Sequence, residues 1–417
     1  MPVTNAPPAG HPVSLGPAAF LPAPFTGAAR WGAAEAAPSG PADGLGIADV
    51  PRTTAAEDGE LVHGFGEALR RRRETSIGYP VNLDLDYRAF GGLLDVLWNT
   101  VGDPGPGDPF RPDRQPFERH VVGFLSRLAG GDPARTYGYV TSGGTEGNLF
   151  GLHAGRQRLP RAPLYHSAAA HHTVARAAAL LRMEAVAVPT RRDGSMDVRA
   201  LRGACERRAG RGAVVVATVG TTMLGAIDDL PAVRAATEPA GECHLHVDGA
   251  LGALVAAFAP NPPAWGFDGG ADTLAISGHK LIGVPMPCGV VLARGHLVPS
   301  PDATGEYLDA RDATLACSRN ALAAVFLWYA LRRLGRVGLA SRVARCLSVA
   351  AYAEHGVRAL GRRCLRNPAS LTVVFDRPAP SVCRRWHLAT EGPFAHLVAM
   401  PHVTHEIVDR FLGDLAP

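Results

Sequence analysis

Lys280 stands at the end of a mostly apolar run, in a position where an amine could act as a nucleophile. Residues 273–276 are apolar or small, Ser277 and His279 follow them, and residues 281–285 are again mostly apolar. A lysine is most often a solvated surface charge, but desolvation at the end of a strand would lower the pKa of its amine. The pattern therefore predicts an amine that can form a Schiff base with a carbonyl group.

A second short run carries three residues that could bind a cation. His244, His246 and Asp248 alternate along it, so on a strand they would share one face. Asp248 lies near the carboxyl end, which in an open α/β sheet faces the ligand crevice. A buried carboxylate there needs a cationic partner. Two other interpretations remain open: Asp248 caps the following turn, or the three side chains bind zinc in a hydrolase.

Three further segments could complete a pocket. The sequence SGGTEGN at 142–148 precedes helical spacing, so Gly144 and Thr145 could meet an anion at a helix N-terminus. Taken alone, such a turn is more often only a turn, and it matches neither a Walker A nor a GxGxxG motif. Thr222 follows a buried apolar run, and His171 precedes a helical stretch and could stack on a flat ring.

The elements that must position these residues alternate between strand and helix. Continuous apolar runs fit strands buried on both faces, at 213–219, 245–247, 273–276 and 289–292, with helical spacing at 174–181 and 231–236. The alternation predicts an α/β fold with a mostly parallel central sheet and helices on both faces. Nearer the C-terminus we expect a long helical segment at 321–360, strands at 371–375 and 396–400, and a helix at 405–415, which form a small α/β domain.

The chain divides into four predicted parts. Residues 1–50 are rich in Ala, Pro and Gly and have few large apolar side chains, which predicts a flexible tail. The alternative for this tail is an arm that lies across a partner subunit. An N-terminal segment follows at 51–110, a large domain at 111–315, and the long helix with the small C-terminal domain at 316–417.

Composition limits the partners of the chain. Of 417 residues, 47% are hydrophobic, which is enough for a substantial core. The 42 basic and 38 acidic residues give a net charge of +4, too small to indicate a nucleic-acid or membrane partner. Seven cysteines without a CxxC pair indicate neither a disulfide framework nor a zinc knuckle. No apolar run approaches the ~20 residues of a membrane span, so we expect a soluble, cytoplasmic protein.

In their order along the chain, these motifs resemble those of the group II pyridoxal-5′-phosphate (PLP)-dependent amino-acid decarboxylases. They are SGGTEGN at 142–148, HHTV at 171–174, GTT at 220–222, HVDGA at 246–250 and SGHK at 277–280. Within that group the chain looks most like the bacterial PLP-type histidine decarboxylases, through IGYP at 77–80, YVT at 139–141, PCG at 287–289, SRN at 318–320 and HLAT at 387–390. The resemblance runs from near residue 60 to the end of the sequence.

The resemblance implies PLP fold type I, the aspartate aminotransferase-like fold, in a homodimer whose subunits share their active sites. The segment at 51–110 would contribute to the dimer and to the active site, and the domain at 111–315 would bind PLP. A mobile loop at about 299–317 would cover the substrate, and Tyr307 in that loop would be a proton donor.

The resemblance also implies a role for each site residue. Lys280 would carry the cofactor as a Schiff base, Asp248 would pair with the protonated ring nitrogen, and His171 would stack on the ring. The other implied neighbours of the cofactor are Ala250 on the opposite ring face, Gly144, Thr145, Ser277 and His279 around the phosphate, and Thr222 near the phenolic oxygen. Asp228 would support the stacking His171.

The implied reaction removes the α-carboxylate from a free amino acid, with the cofactor as electron sink. L-Histidine, which would give histamine, is the first choice of substrate, and serine, branched-chain and other amino acids are alternatives. Tyr79, Pro80, Asn82 and Ser370 are candidates for the substrate pocket. Alternatives of different chemistry are a PLP aminotransferase, a carbon–sulfur lyase, the zinc hydrolase described above and a relative without activity.

Overall fold

The computed structural model describes residues 45, 47, 49–50, 53–104, 116–298 and 312–416. Most of the predicted tail at 1–50 lies outside these residues, as does the greater part of the predicted loop at 299–317, including Tyr307. Within the described ranges, no helix combines the length and the apolar character that a membrane span requires.

Helices and strands alternate through most of the described chain. The α-helices are α1 (Ala55–Arg71), α2 (Pro116–Leu128), α3 (Gly144–Arg158), α4 (His172–Leu180), α5 (Val198–Glu206), α6 (Leu230–Ala236), α7 (Gly252–Ala257), α8 (Ala321–Ala359), α9 (Pro380–Arg385) and α10 (His405–Leu415). The strands are β1 (Asn99–Thr100), β2 (Thr136–Thr141), β3 (Leu164–Ser167), β4 (Ala185–Val188), β5 (Ala213–Thr218), β6 (Cys243–Asp248), β7 (Thr273–Ser277), β8 (Gly289–Arg294), β9 (Arg319–Asn320), β10 (Cys364–Leu365), β11 (Thr372–Asp376), β12 (Ala389–Glu391) and β13 (Phe394–Val398).

The large sheet of the described residues has seven strands in the order β2-β8-β7-β6-β5-β3-β4. The neighbours from β7 to β4 pair in parallel, whereas β8 runs antiparallel to both β7 and β2. Strands β5, β6 and β7 are buried along their whole length, as apolar runs without alternation predict. The predicted α/β fold with a mostly parallel sheet is confirmed.

The C-terminal part forms a smaller sheet with helix α10. Its four strands are antiparallel and lie in the order β10-β11-β13-β12. The predicted long helix α8 is interrupted at Gly335, where φ is +57° and ψ is −169°. A positive φ is readily adopted only by glycine, so this residue separates two helical stretches that the apolar pattern alone shows as one.

A two-stranded ladder joins the N-terminal segment to the start of α8. Asn99 of β1 pairs with Asn320 of β9, and Thr100 pairs with Arg319. Residues that lie more than two hundred positions apart therefore meet beside the large sheet. The four-part division of the chain at 50, 110 and 315 remains a prediction.

Candidate active site

The candidate site lies at the carboxyl ends of three neighbouring parallel strands. Strand β5 ends at Thr218, β6 at Asp248 and β7 at Ser277, and Thr218 pairs with Asp248 across the ladder. Asp248 also pairs with Ala275 of β7. Because parallel strands bring their carboxyl ends to the same edge of the sheet, the polar residues that follow each strand converge there.

Lys280 lies in the helical turn Gly278–Ile282, directly after β7. Its backbone angles, φ −84° and ψ −111°, are not helical, so the turn is distorted at the lysine itself. Burial lowers the pKa of the Lys280 amine, and the nearby charge of Asp248 acts in the opposite direction. The sequence carries a signal that motif reasoning missed, because Lys280 is the only lysine among the 42 basic residues.

Asp248 is a buried carboxylate with neutral hydrogen-bond donors. Only 6% of the residue is exposed. Its Oδ1 atom accepts from the backbone N–H of Ala250 at 3.2 Å, and its Oδ2 atom accepts from Nδ2 of Asn148 at 2.9 Å. No described lysine, arginine or histidine nitrogen forms an ion pair with it within 4 Å. A buried carboxylate with this donor set fits a cationic ring nitrogen.

His171 is the N-cap residue of helix α4 and lies near both charged groups. Its Nδ1 atom is 2.8 Å from the hydroxyl of Thr173, and its ring centroid is 4.2 Å from that of His172. Burial and then His172 lower the pKa of His171, while Asp248 raises it and Lys280 lowers it further. The neutral imidazole is therefore favoured, and a neutral flat ring is suited to stacking on another ring.

The start of helix α3 forms a cradle of small residues. Gly143 precedes the helix with φ +155°, and no side chain caps its N-terminus. A Cβ atom at Gly144 would lie 2.9 Å from Oγ of Ser277 and 3.3 Å from Cβ of Ala250, so these three residues meet closely. His279 lies on the same side, with Cε1 4.0 Å from a Cβ at Gly143. Unpaired N–H groups and a hydroxyl are suited to a phosphate.

Two predicted cofactor residues are exposed in the described chain. Thr145 lies in the first turn of α3, and Thr222 lies in the turn that follows β5. The hydroxyl of the adjacent Thr221 is buried and accepts the N–H of Ala226, so it stabilises that turn. The exposed hydroxyls of Thr145 and Thr222 are therefore accessible to a bound group.

The four predicted substrate residues have different surroundings. Nδ2 of Asn82 donates to the backbone oxygen of Leu281, one residue after the lysine, at 3.1 Å. Tyr79 is 53% exposed and Pro80 is partly buried. The buried hydroxyl of Ser370 accepts the N–H of Thr372 at 3.0 Å, so it bonds to its own backbone segment.

Asp228 does not support His171 as predicted. Its carboxylate accepts the backbone N–H groups of Met196 at 2.6 Å and Thr218 at 2.7 Å. Burial raises the pKa of Asp228 to about 6 against the effect of these donors. The residue therefore connects the end of β5 to the 190–196 turn, and the prediction of a contact with His171 was wrong.

The histidines of β6 take part in hydrogen bonds to uncharged side chains. Both ring nitrogens of His246 have partners, Asn148 at 3.0 Å and Thr273 at 2.9 Å, and Nε2 of His244 is 3.1 Å from Thr273. Within the described ranges, no cluster of three or more His, Cys, Asp and Glu residues is arranged to hold a metal ion. The geometry thus gives no support to the zinc hydrolase.

Comparison with known proteins identifies the family. The model of the pyridoxal-dependent decarboxylase conserved domain matches residues 134–377. Serine decarboxylase 1 of Oryza sativa subsp. japonica is 38% identical over 351 residues, which are 83% of this chain and 73% of the relative. Histidine decarboxylase of Vibrio campbellii is 32% identical over 370 residues, which are 87% of this chain and 96% of the relative.

A solved structure gives the same result for the fold. The crystal structure of L-methionine decarboxylase from Streptomyces sp. 590 superposes with a TM-score of 0.79 at 23% identity, over 88% of this chain and 96% of the other. PLP fold type I is thereby confirmed, and so is the requirement for pyridoxal phosphate that the family match carries. The chain belongs to the pyridoxal-dependent decarboxylases and is a PLP-dependent amino-acid decarboxylase.

Proposed function

We propose that the chain decarboxylates L-histidine to histamine and that Lys280 is the residue to which its cofactor is attached. The observation that supports attachment at Lys280 is its proximity to Asp248. The only lysine of the sequence is partly buried at the edge of the sheet, next to a buried carboxylate without a described ion-pair partner. An amine and an anion in this arrangement suit an aldehyde on a cationic ring.

Each residue of the site is proposed to have a different role toward the cofactor. Bound pyridoxal phosphate supplies an electron sink for the electrons left when the Cα–carboxylate bond breaks. Asp248 keeps the ring nitrogen protonated, because a carboxylate stabilises a cation at this buried position. His171 would cover one face of the ring and Ala250 the other. Burial lowers the pKa of the Lys280 amine, which favours the neutral, nucleophilic form of Nζ that attachment to an aldehyde requires.

The phosphate group would be held at the start of helix α3. Gly144 and Thr145 offer backbone N–H groups and a hydroxyl, and Ser277 and His279 approach from the end of β7. The helix dipole adds a favourable field for an anion at this end. Thr222 is proposed to contact the phenolic oxygen of the ring.

The choice of histidine rests on a relative that matches over almost its whole length. The histidine decarboxylase of Vibrio campbellii is matched over 96% of its own residues. Serine is the second candidate, because the rice serine decarboxylase has the higher identity, 38%. Tyr79, Pro80, Asn82 and Ser370 remain the proposed pocket residues, with Tyr307 as proposed proton donor. Of these, Asn82 has the best support, through its hydrogen bond to Leu281.

Product analysis with a panel of amino acids tests the substrate. Purified protein with added PLP is incubated separately with L-histidine, L-serine, L-methionine, L-valine and L-leucine, and amines and carbon dioxide are quantified by mass spectrometry. The proposal expects histamine, with a kcat/KM for histidine at least about 100-fold above that for serine. Ethanolamine as the main product would overturn histidine in favour of serine, and another amine would overturn both.

We also propose a homodimer in which a second copy covers helix α1. Val62, Phe65 and Leu69 lie on this helix and are 70%, 64% and 48% exposed, and none of its residues is buried. A helix with an apolar face on this scale is unusual on a monomer surface. Light scattering should give the mass of two chains. A V62E/F65E variant should give the mass of one chain, and a wild-type monomer would refute the proposal.

A cytoplasmic location is the last part of the proposal. All seven cysteines are free, and five of them are buried. Proteins that work in an oxidising compartment more often pair such residues. Cell fractionation with an antibody to the full chain tests this location, and recovery outside the cytoplasmic fraction would contradict it.

A further inference from the structure

The polar groups behind Asp248 continue into the core of the sheet. Asn148 on α3 contacts Asp248, His246 on β6 contacts Asn148, and Thr273 on β7 contacts His246. The three successive distances are 2.9, 3.0 and 2.9 Å. Asn148 is 2% exposed, and both His246 and Thr273 are fully buried. Buried polar groups of this kind are costly unless each of them is paired.

The charge of Asp248 sets the direction of each hydrogen bond in the series from Asp248 through Asn148 and His246 to Thr273. An ionised carboxylate only accepts, so the amide of Asn148 must turn its Nδ2 group towards Asp248. The Oδ1 atom of Asn148 then faces His246 and must accept from Nε2–H. The Nδ1 atom of a neutral imidazole is then an acceptor, and the hydroxyl of Thr273 donates to it.

The histidine in the middle stays neutral because it is buried. Burial lowers the pKa of His246 to about 3, although the charge of Asp248 acts to raise it. Nε2 of His244 is 3.1 Å from the same Thr273 hydroxyl and supplies a donor to its free lone pair. A neutral imidazole with a fixed tautomer can transmit orientation without adding a charge beside the carboxylate.

Glycines on α3 let the helix come close enough for these contacts. Gly147, Gly151 and Gly155 are spaced by four residues and so share one helix face. A Cβ atom at Gly151 would lie 2.0 Å from Nδ1 of His246, and one at Gly155 would lie 2.9 Å from Cδ2 of His244. The two imidazoles thus occupy the space that side chains on this helix face would fill.

We propose that Asn148, His246 and Thr273 are positioning residues, which form a one-directional hydrogen-bond chain that holds the Asp248 carboxylate in the orientation for a cationic ring nitrogen. The inference rests on the proposed role of Asp248. The affinity for the cofactor would then depend on this series of hydrogen bonds, because a rotated Asp248 carboxylate would direct the wrong lone pairs at the ring nitrogen. It also explains why a histidine without a charge is buried in the core behind the site.

The first test compares two substitutions of His246 in the full-length protein. A glutamine amide reaches the place of Nε2 and still donates to Asn148, whereas leucine fills similar space without a donor. After removal of bound cofactor, PLP is titrated back, and its Kd and the absorption spectrum of the bound form are measured. We expect H246L to raise Kd by about tenfold or more, the effect of losing one hydrogen bond in a charged network, and to shift the absorption maximum. H246Q should remain nearer to wild type in both measurements.

A second pair of variants distinguishes loss of the hydrogen bond from loss of structure. T273V keeps the shape of the side chain and removes only the hydroxyl that donates to His246. T372V makes the same change at a threonine that is 2% exposed on β11 of the smaller sheet, where its backbone N–H bonds to Ser370 and its hydroxyl has no part in the contacts behind Asp248. We expect T273V to raise the Kd for PLP by about fivefold or more and T372V to leave it within about twofold. Circular dichroism and thermal unfolding confirm that each variant is folded.

The D248A variant separates the two levels of the argument. If D248A binds PLP as tightly as wild type, the proposed role of Asp248 is wrong. If D248A loses affinity while folded H246L and T273V bind within about twofold of wild type, only the hydrogen-bond chain is refuted. Equal Kd values for H246L and H246Q, both well above wild type, would also refute it, since packing alone would then explain the loss.

Discussion

Two buried carboxylates, Glu118 and Asp248, solve the same electrostatic problem in opposite ways. Glu118 is 1% exposed and forms an ion pair with Arg319, whose side chain is 4% exposed. Its Oε1 atom also accepts the N–H of Val140 at 2.6 Å. Asp248 is 6% exposed and has only neutral donors among the described residues. The first carboxylate is neutralised within the fold, and the second is left able to bind a cation.

The difference separates a structural ion pair from a binding group. Arg319 also donates to the backbone oxygens of Gly102 at 2.7 Å and Val140 at 3.3 Å, so the pair joins three segments of the chain. Strand β2, which contains Val140, leads directly into the glycine turn at the cradle of small residues that begins α3. A substitution at Glu118 should therefore lower mainly the unfolding free energy. A substitution at Asp248 should lower mainly the activity that depends on the cofactor.

The largest effect is expected for D248N. Loss of the charge that we propose stabilises the ring nitrogen should lower kcat/KM by about 10²- to 10³-fold, as for other buried groups aimed at developing charge. The unfolding free energy should change less than in E118Q, because removal of an uncompensated buried charge offsets the loss of one acceptor for Asn148 or Ala250. Decarboxylation assays and urea unfolding measure the two quantities. Wild-type turnover would break the comparison.

E118Q is the matched substitution at the structural pair. It leaves Arg319 buried without a counter-charge, which should lower the unfolding free energy by about 3–5 kcal/mol. Specific activity of the folded fraction should change little, since the backbone partners of this pair are Val140 and Gly102 rather than Asp248 or the turn at Lys280. The double variant E118Q/R319M should recover part of the lost stability. A variant that unfolds like wild type but has lost activity would contradict this assignment.

G151A tests the close approach of α3 to the sheet. Its Cβ would overlap the ring of His246, and overpacking of this kind should cost about 1–3 kcal/mol of unfolding free energy. G123A is the control, because a Cβ at Gly123 of α2 would be 3.6 Å from its nearest neighbour, an ordinary contact. That substitution should stabilise by up to about 1 kcal/mol through helix propensity. Equal stabilities of the two variants would show that α3 has more room than the structure gives it.

The last prediction concerns the pH dependence of the unfolding free energy. Burial lowers the pKa of His244 to about 4 and that of His246 to about 3, while both are near 6.5 in the unfolded chain. Below pH 6.5 the unfolded chain therefore binds protons that the folded chain does not, so stability falls as pH falls. Each histidine contributes about 1.4 kcal/mol per pH unit. Urea unfolding from pH 6.5 to 4.5 should show a shallower slope for H246Q, and an unchanged slope would contradict the shift.

Much of the large sheet could be predicted from sequence, and so could the convergence of Asp248 and Lys280 at its edge. Apolar runs without alternation identify buried parallel strands, and polar residues at their ends, such as Asp248 and Lys280, meet because parallel strands end at one edge. The helix break at Gly335 could not be predicted, because a glycine within an apolar helical pattern is usually tolerated.

The residues behind the site were harder to predict. Asn148 lies between a glycine and a leucine in a helix, and Asp248, its partner, is 100 positions away. Their contact depends on how closely α3 packs on the sheet, which no local pattern encodes. The repeat of Gly147, Gly151 and Gly155 was the available signal. Asp228 was assigned wrongly because its acidic motif gives no information about which backbone groups it meets.

The central claim, cofactor attachment at Lys280, is tested most directly by reductive trapping and peptide mapping. Borohydride treatment of the PLP-loaded protein should leave one pyridoxyl group per chain, on the peptide that contains residue 280. Because the sequence has no other lysine, K280A should take up no side-chain label and should lose decarboxylation. A wild-type protein without label at residue 280, or K280A with wild-type turnover, would contradict the account.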